Sequence, residues 1–236
     1  YRGLASFVAG RSVAELMAFE RVCDVLPGEA APKLAAAVCA EALGDADAAA
    51  AGYEAVWRTD HSYVSAAFGL ARVLVGSGER EAAVAVLHSV PDTSIHHVAA
   101  QVAAVRAQIG RVPVGGATID KELRAGVVGS GVVAGGARSG GALEDVVAAG
   151  ARLSGLELDV ARRAGLTAEL LRVALESLPG DGSRPAGRLL GCELTESGLR
   201  SGLERCYRQL ARLADSPEER IALVDRANAV RPRTLV

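Results

Sequence analysis

Similar residues recur every 34 positions in the first half of the chain, and this interval fixes the length of a structural unit. Glycine does so at Gly10, Gly44 and Gly78. Three further sets keep the same interval: Phe19, Tyr53 and Leu87; Val22, Val56 and Val90; Gly3, Ala37 and Ala71. An ordinary amphipathic bundle can show any one of these coincidences. Four sets in one register indicate a repeated unit instead.

A 34-residue period is typical of the tetratricopeptide repeat, in which two antiparallel helices form one unit. A small residue in the first helix lets its partner approach, and glycine supplies the positive φ of the turn. The register predicts a second repeat over about residues 29–61 and a third over about 62–90, with a further helix over about 94–109 covering the last repeat. We therefore predict an all-α fold, a tetratricopeptide-repeat right-handed superhelix (a solenoid) with a C-terminal helical cap.

Composition divides the chain into three parts. Residues 1–112 carry about three repeats, residues 113–142 form a Gly-rich flexible linker, and residues 143–236 form a helical region that continues the solenoid. The first repeat is truncated, because Tyr1 falls inside its first helix. We expect the chain to be part of a longer protein.

Helical patterns return after the Gly-rich stretch, over about residues 143–156, 158–178 and 195–213. The last helix opens with Ser216-Pro217-Glu218-Glu219. This is a Ser N-cap, a Pro at the first helical position and a Glu at the third, which together predict a capping box. We expect the whole chain to be helical.

Charge and cysteine usage exclude several classes of function. The formal net charge is −2 and the isoelectric point about 6.1, which leaves no electrostatic footprint for nucleic acid or an anionic membrane. No apolar run is long enough to span a membrane and no leader pattern is present, so we expect a cytoplasmic protein.

The four cysteines lack zinc-site spacing and are expected to be reduced and largely buried. His96 and His97 are adjacent, so on a helix they point apart and cannot easily share a metal.

The Gly-rich stretch misses the spacing of a phosphate-binding loop. Residues 129–135 fail the G-x-G-x-x-G pattern by one position. Gly131 and Gly136 have the spacing of a Walker A loop, but Ala137 and Arg138 replace the Lys and Ser/Thr that would contact phosphate and magnesium. The kinase motifs H-R-D and D-F-G are absent. We therefore predict no catalysis, no cofactor and no metal site in this chain.

A binding groove is the remaining candidate site, because the first helices of stacked repeats line a concave surface. Arg72 and Arg106 are 34 positions apart on successive helices of this type, and Glu41 lies one turn later on the helix before them. The two arginines could stack along the groove and hold an acidic peptide or a neighbouring domain. The alternative is that both are solvated surface arginines.

Seven segments of the chain match a known family: LPGEAAPKL at 26–34, VWRTD at 56–60, SAAFGLAR at 65–72, VPDTS at 90–94, LLG at 189–191, LR at 199–200 and LVDRANAVRP at 223–232. They resemble the tetratricopeptide region of actinobacterial protein kinase G. The resemblance is specific over about residues 1–112 and 189–232, and weak between them. It departs from the family at residues 192–194, where members usually have proline and an aromatic before the position of Thr195.

The resemblance implies a parent serine/threonine-protein kinase that uses ATP and a divalent metal. Family members carry a rubredoxin-like metal module and a kinase domain before these repeats. They regulate glutamate and nitrogen metabolism through a regulator with a forkhead-associated domain. None of the family's catalytic or metal residues corresponds to a position in this chain.

Three hypotheses follow for function. The first is a non-catalytic protein–protein interaction region of a bacterial kinase, which braces the kinase domain, supports self-association as a homodimer and recruits the protein substrate. The second is a free-standing adaptor that docks acidic peptides in its concave groove. The third is an enzyme that uses the Gly-rich loop, which would show saturable ATP binding; we expect none.

Overall fold

Helices occupy most of the chain that the structure describes. The computed structural model describes residues 12–110, 141–179 and 185–232, and the chain forms two compact units, Tyr1–Gly115 and Gly116–Val236. Across the described ranges it contains ten helices and one two-stranded hairpin. The all-α prediction is confirmed. In these same ranges no helix is both long enough and apolar enough to cross a membrane.

The first unit contains six described helices, which pack against one another in chain order: α1 (Ser12–Val25), α2 (Ala30–Leu43), α3 (Ala46–Thr59), α4 (Val64–Gly76), α5 (Arg80–His88) and α6 (His97–Gln108). In addition, α2 contacts α4, and α4 contacts α6. Alternate helices therefore lie side by side, as in stacked helical hairpins. Helices α2 and α3 are the second repeat, α4 and α5 the third, and α6 covers the last hairpin.

The turns between paired helices lie where the 34-residue register places them. Gly44 has φ of 81° and Gly78 has φ of 87°. Only glycine adopts this left-handed conformation without a steric penalty. At the end of α2, the amide of Asp45 donates to the carbonyl of Ala40 at 3.0 Å, which satisfies a terminal helix acceptor. The third glycine of the set, Gly10, lies outside the described residues.

The residues that the register places between repeats form the core of the second and third repeats. Tyr53 is 1% exposed and Leu87 is 0% exposed. Val56 and Val90 are 1% and 2% exposed. The corresponding residues of α1 are more open, since Phe19 is half-buried and Val22 is 40% exposed. The helix that the register pairs with α1, over residues 1–9, lies outside the described residues. Full burial at these positions therefore holds for two of the three repeats.

The second unit contains four described helices, α7 (Gly141–Gly155), α8 (Val160–Glu176), α9 (Glu196–Leu213) and α10 (Pro217–Val230), again packed in chain order. Thr195 caps α9 by accepting a hydrogen bond from the amide of Gly198 at 3.1 Å. The predicted linker, residues 113–142, lies almost wholly outside the described ranges. The linker and the continuation of the solenoid after it both stay predictions.

A small hairpin precedes α9, so the expectation of a wholly helical chain was wrong here. Strand β1 (Arg188–Leu189) pairs antiparallel with β2 (Cys192–Glu193). The two residues between the strands have positive φ, 48° at Leu190 and 83° at Gly191. Two such residues in succession make the tight turn that matches the twist of paired strands. Leucine is unusual in this turn, and the sequence therefore gave little sign of it.

We expect Ser216→Ala to lower the free energy of unfolding by about 1 kcal/mol. The Ser216 hydroxyl accepts a hydrogen bond from the amide of Glu219 at 3.1 Å, and Pro217 is the first helical residue. The Ser N-cap and the proline of the predicted capping box are confirmed. Alanine would leave that amide without its acceptor. Urea unfolding measures the loss, and Ser216→Thr, which keeps the hydroxyl, should retain most of the stability. Equal losses in both variants would contradict a capping role.

Candidate functional site

The three residues predicted to line the groove lie on alternate helices of the first unit. Glu41 is on α2, Arg72 on α4 and Arg106 on α6. The structure joins Glu41 and Arg72 in a direct contact. Arg106 lies on α6, which contacts α4, and its side chain is buried.

Arg72 and Glu41 form a bidentate ion pair between α2 and α4. The Arg72 Nε donates to Glu41 Oε1 at 2.6 Å, and Nη2 donates to Oε2 at 2.7 Å. The two side chains are 32% and 26% exposed, respectively. A planar guanidinium facing a carboxylate in this way combines charge with two directed hydrogen bonds. The pair therefore fixes the second repeat to the third.

Tyr53, on α3, completes the cluster, and sequence reasoning missed its polar role. Its hydroxyl donates to Glu41 Oε2 at 2.6 Å, while its ring is buried between the repeats. Gly69 on α4 makes room for the ring, because a Cβ at that position would lie 2.5 Å from ring atoms of Tyr53. The register predicted a large residue at position 53. The one available sign of the hydrogen bond was that this residue is a tyrosine rather than a phenylalanine.

The surroundings of the cluster shift the pKa values of its members in opposite directions. Burial by itself would raise the pKa of Glu41, but hydrogen bonds from Arg72 and Tyr53 and the charge of Arg72 bring it below its ordinary value. Burial and the bond to Glu41 raise the pKa of Tyr53. The hydrogen bond to Glu41 raises the pKa of Arg72 in spite of burial. At neutral pH the cluster is therefore an ionised carboxylate with a charged and a neutral donor.

We expect the stability contributed by Glu41 to disappear in acid. Its folded-state pKa lies below the ordinary 4.5, so the contribution is complete above about pH 4.5 and is lost as the pH falls through the folded-state value. Urea unfolding from pH 7 to pH 3 should show wild type more stable than Glu41→Gln at neutral pH, with the difference shrinking in acid. A difference that does not change with pH would contradict the assignment.

Arg106 lies at the position equivalent to Arg72, but it is only 7% exposed. The register correctly places both arginines on helices, Arg72 on α4 and Arg106 on α6. Their exposure differs. The two arginines are therefore neither both solvated nor both open to a groove. Arg106 is a buried residue of α6, and its part in partner binding stays a prediction.

His97 contacts the backbone, and three of the four cysteines are buried in the packing. His97 Nδ1 lies 3.0 Å from the carbonyl oxygen of Val90 at the start of α6. Cys39, Cys192 and Cys206 are buried and Cys23 is half-buried, all as free thiols. Burial and the neighbouring Cys192 raise the pKa of Cys206 to about 11. Within the described ranges no three His, Cys, Asp or Glu side chains are grouped for a metal. The Gly-rich stretch over residues 129–138 lies outside those ranges.

Comparison with known families decides what kind of repeat this is. A family model described as the protein kinase G tetratricopeptide repeat matches residues 1–129 and 130–234. The chain belongs to this family. The resemblance noted in the sequence is thereby confirmed, and the matched model is a repeat region, not a catalytic domain.

Two relatives of the chain carry the name serine/threonine-protein kinase PknG. The protein of Mycolicibacterium smegmatis is 37% identical over 215 residues, which cover 91% of this chain and 25% of that protein. The protein of Mycobacterium leprae is 34% identical over 233 residues, which cover 98% of this chain and 27% of that protein. The chain thus spans about a quarter of the length of the curated relatives it matches.

Proposed function

We propose that this chain is the protein-interaction region of a serine/threonine-protein kinase. It braces the kinase domain, supports self-association and helps to recruit the protein substrate, for which a regulator with a forkhead-associated domain is our candidate. One observation supports this most directly: nearly the whole chain matches the repeat region of kinases while spanning about a quarter of their length.

The packing of the first unit supports a binding role for the side on which α2, α4 and α6 lie next to one another. The Glu41–Arg72 pair, with Tyr53, holds two of these helices at a set spacing. A partner that contacts the two helices together would find them already ordered. Preordering of this kind lowers the entropic cost of binding.

In the adaptor hypothesis, Arg72 binds an acidic peptide. Glu41 of the same chain would compete with that peptide for the Arg72 guanidinium. Glu41 already accepts hydrogen bonds from Nε and Nη2 of Arg72. An acidic ligand would have to displace this carboxylate or share the guanidinium with it. Binding of the kinase domain to the ordered helix surface is therefore favoured. Binding of a free acidic peptide by Arg72 is less favoured.

The test is a binding titration between this chain and the kinase domain of its own parent protein, by isothermal titration calorimetry. The double variant Glu41→Gln/Arg72→Gln keeps the net charge but removes the ion pair. We expect it to bind at least about tenfold more weakly, which corresponds to about 1.4 kcal/mol.

The matched control is Glu54→Gln/Arg58→Gln on α3. This removes an exposed i, i+4 pair whose atoms lie 3.8 Å apart. Such pairs contribute little to stability, so binding should stay close to wild type. Equal loss in both double variants would exclude a specific role for the Glu41–Arg72 surface. Absence of any binding by the wild-type chain would overturn the bracing role.

Self-association has a separate readout. Sedimentation velocity across a wide concentration range should show a dimer forming as concentration rises. A single monomeric species at all concentrations would remove self-association from the proposal and leave its other parts standing.

A further inference from the structure

A cleft of about 440 Å³ between α9 and α10 is lined by three arginines and two apolar residues: Arg208, Ala211, Arg212, Arg220 and Val224. No aspartate or glutamate is part of this lining. The cleft belongs wholly to the second unit, whereas the Glu41–Arg72 pair belongs to the first.

Helical spacing explains why the arginines converge. Arg208 and Arg212 are four residues apart on α9, and Arg220 and Val224 are four apart on α10. Residues at this spacing lie on one face of a helix. Helices α9 and α10 pack against each other, and these faces border the same cleft.

The three guanidinium groups differ in how far they are already engaged. Arg208 is held by Glu204, with 2.9 Å between Nη2 and Oε1, and by Asn228 at 3.4 Å. Arg212 and Arg220 are exposed. Within the part of the chain that the structure describes, the guanidinium group of neither residue makes a hydrogen bond or an ion pair. Two arginine side chains are therefore available to a ligand beside a third that is fixed.

Two acidic residues near the arginine cleft line a different cleft. Asp215, between α9 and α10, and Glu219, in the first turn of α10, line it together with Asp159. Glu204 pairs with Arg208 at 2.9 Å and with Arg231 at 3.9 Å, and with neither Arg212 nor Arg220. The arginine cleft thus keeps about two uncompensated positive charges, although the whole chain has a formal net charge of −2.

We infer that this cleft binds a phosphorylated serine or threonine side chain within a peptide segment. A phosphate monoester carries nearly two negative charges and three acceptor oxygens near neutral pH, which matches two free guanidinium groups. Arginine's planar set of donors suits phosphate better than a point charge does. Ala211 and Val224 provide apolar contact for the carbon atoms next to the phosphate.

The choice of ligand rests on the proposed function, because a serine/threonine kinase produces this modification on its own chain or its substrate. Other phosphate carriers fit the lining less well. None of the five lining residues is aromatic, so a nucleotide base would have no stacking partner. The lining also lacks the large apolar side chains with which a lipid tail would pack.

The test uses the 236-residue chain, labelled with ¹⁵N, and NMR signals of the arginine Nε–H groups. The probe is a capped heptapeptide of alanine and glycine with a central phosphoserine, compared with the same peptide containing serine. We expect the phosphopeptide to shift the Arg212 and Arg220 signals and to bind at least about tenfold more tightly than the serine peptide.

The variant Arg212→Gln/Arg220→Gln should lose at least about tenfold in phosphopeptide affinity. The control Arg58→Gln/Arg188→Gln makes the same change in net charge at two arginines that are 77% and 70% exposed and lie outside the cleft. The control should bind as wild type does. Arg212→Lys/Arg220→Lys keeps the charge without the planar donors and should give an intermediate affinity.

Three results would overturn the inference: equal binding of the serine and phosphoserine peptides, equal losses in the glutamine variant and its control, or displacement of the peptide by inorganic phosphate at matching concentration. The last would identify free phosphate as the ligand. A chain that binds the kinase domain but ignores the phosphopeptide overturns this inference alone. Phosphopeptide binding without kinase-domain binding overturns the proposed function alone.

Discussion

Replacing Tyr53 with alanine is expected to lower the free energy of unfolding by about 3–5 kcal/mol. The ring is 1% exposed and fills the space above Gly69, so its removal leaves a cavity between the second and third repeats. The change also removes the hydroxyl that donates to Glu41 at 2.6 Å. Because stacked repeats depend on their neighbours, the loss should extend along the first unit.

The matched variant Tyr53→Phe separates the two contributions. Phenylalanine keeps the ring and removes only the hydrogen bond to the Glu41 carboxylate. We expect a loss of about 1.5 kcal/mol, at the low end for a hydrogen bond to a charged group because the carboxylate is only partly buried. Urea unfolding followed by circular dichroism measures both variants. A nearly neutral Tyr53→Ala would contradict the register that places this residue between repeats.

The second large effect is expected for Leu87→Ala, with a loss of about 2–5 kcal/mol. Leu87 occupies the position of Tyr53 in the next repeat and is 0% exposed. The remaining member of the set, Phe19, is half-buried. Because less of its surface leaves water on folding, Phe19→Ala should cost only about 1–2 kcal/mol.

Comparison of these two variants tests the repeat position independently of the type of side chain. Phenylalanine is larger than leucine, so a rule based on size alone predicts the greater loss at Phe19. The structure predicts the opposite order. Hydrogen exchange would localise each effect, with faster exchange in α4 and α5 for Leu87→Ala. Equal losses at the two positions would contradict the difference in burial.

Much of the fold of the first unit could be predicted from sequence because its determinants are local and periodic. Gly44 and Gly78 mark turns by a backbone conformation that only glycine adopts readily, and the large residue nine positions later must be buried wherever a repeat stands on each side. The Ser216 cap could be predicted for the same reason: its contacts lie within one helical turn.

The site could be predicted only in part, because its contacts join residues far apart in the chain. Spacing places Glu41 and Arg72 on alternate helices but does not show that they pair 31 residues apart. The burial of Arg106 escaped prediction because its sequence position matches that of the more exposed Arg72. The hairpin before α9 was not predicted because leucine occupies a turn position that normally has Asn, Asp or Gly.

The Glu41–Tyr53–Arg72 cluster limits how this array can be recombined. Two members belong to the second repeat and the third belongs to the next, so a chimera joined between α3 and α4 would separate Arg72 from both partners. The donor segment would then leave a half-buried carboxylate without its cation, unless the recipient happened to supply an arginine at the same place. Modules for grafting should therefore run from α2 through α5 as a single block, with the junction placed before Ala30. Evolution by duplication of single 34-residue units would face the same restriction.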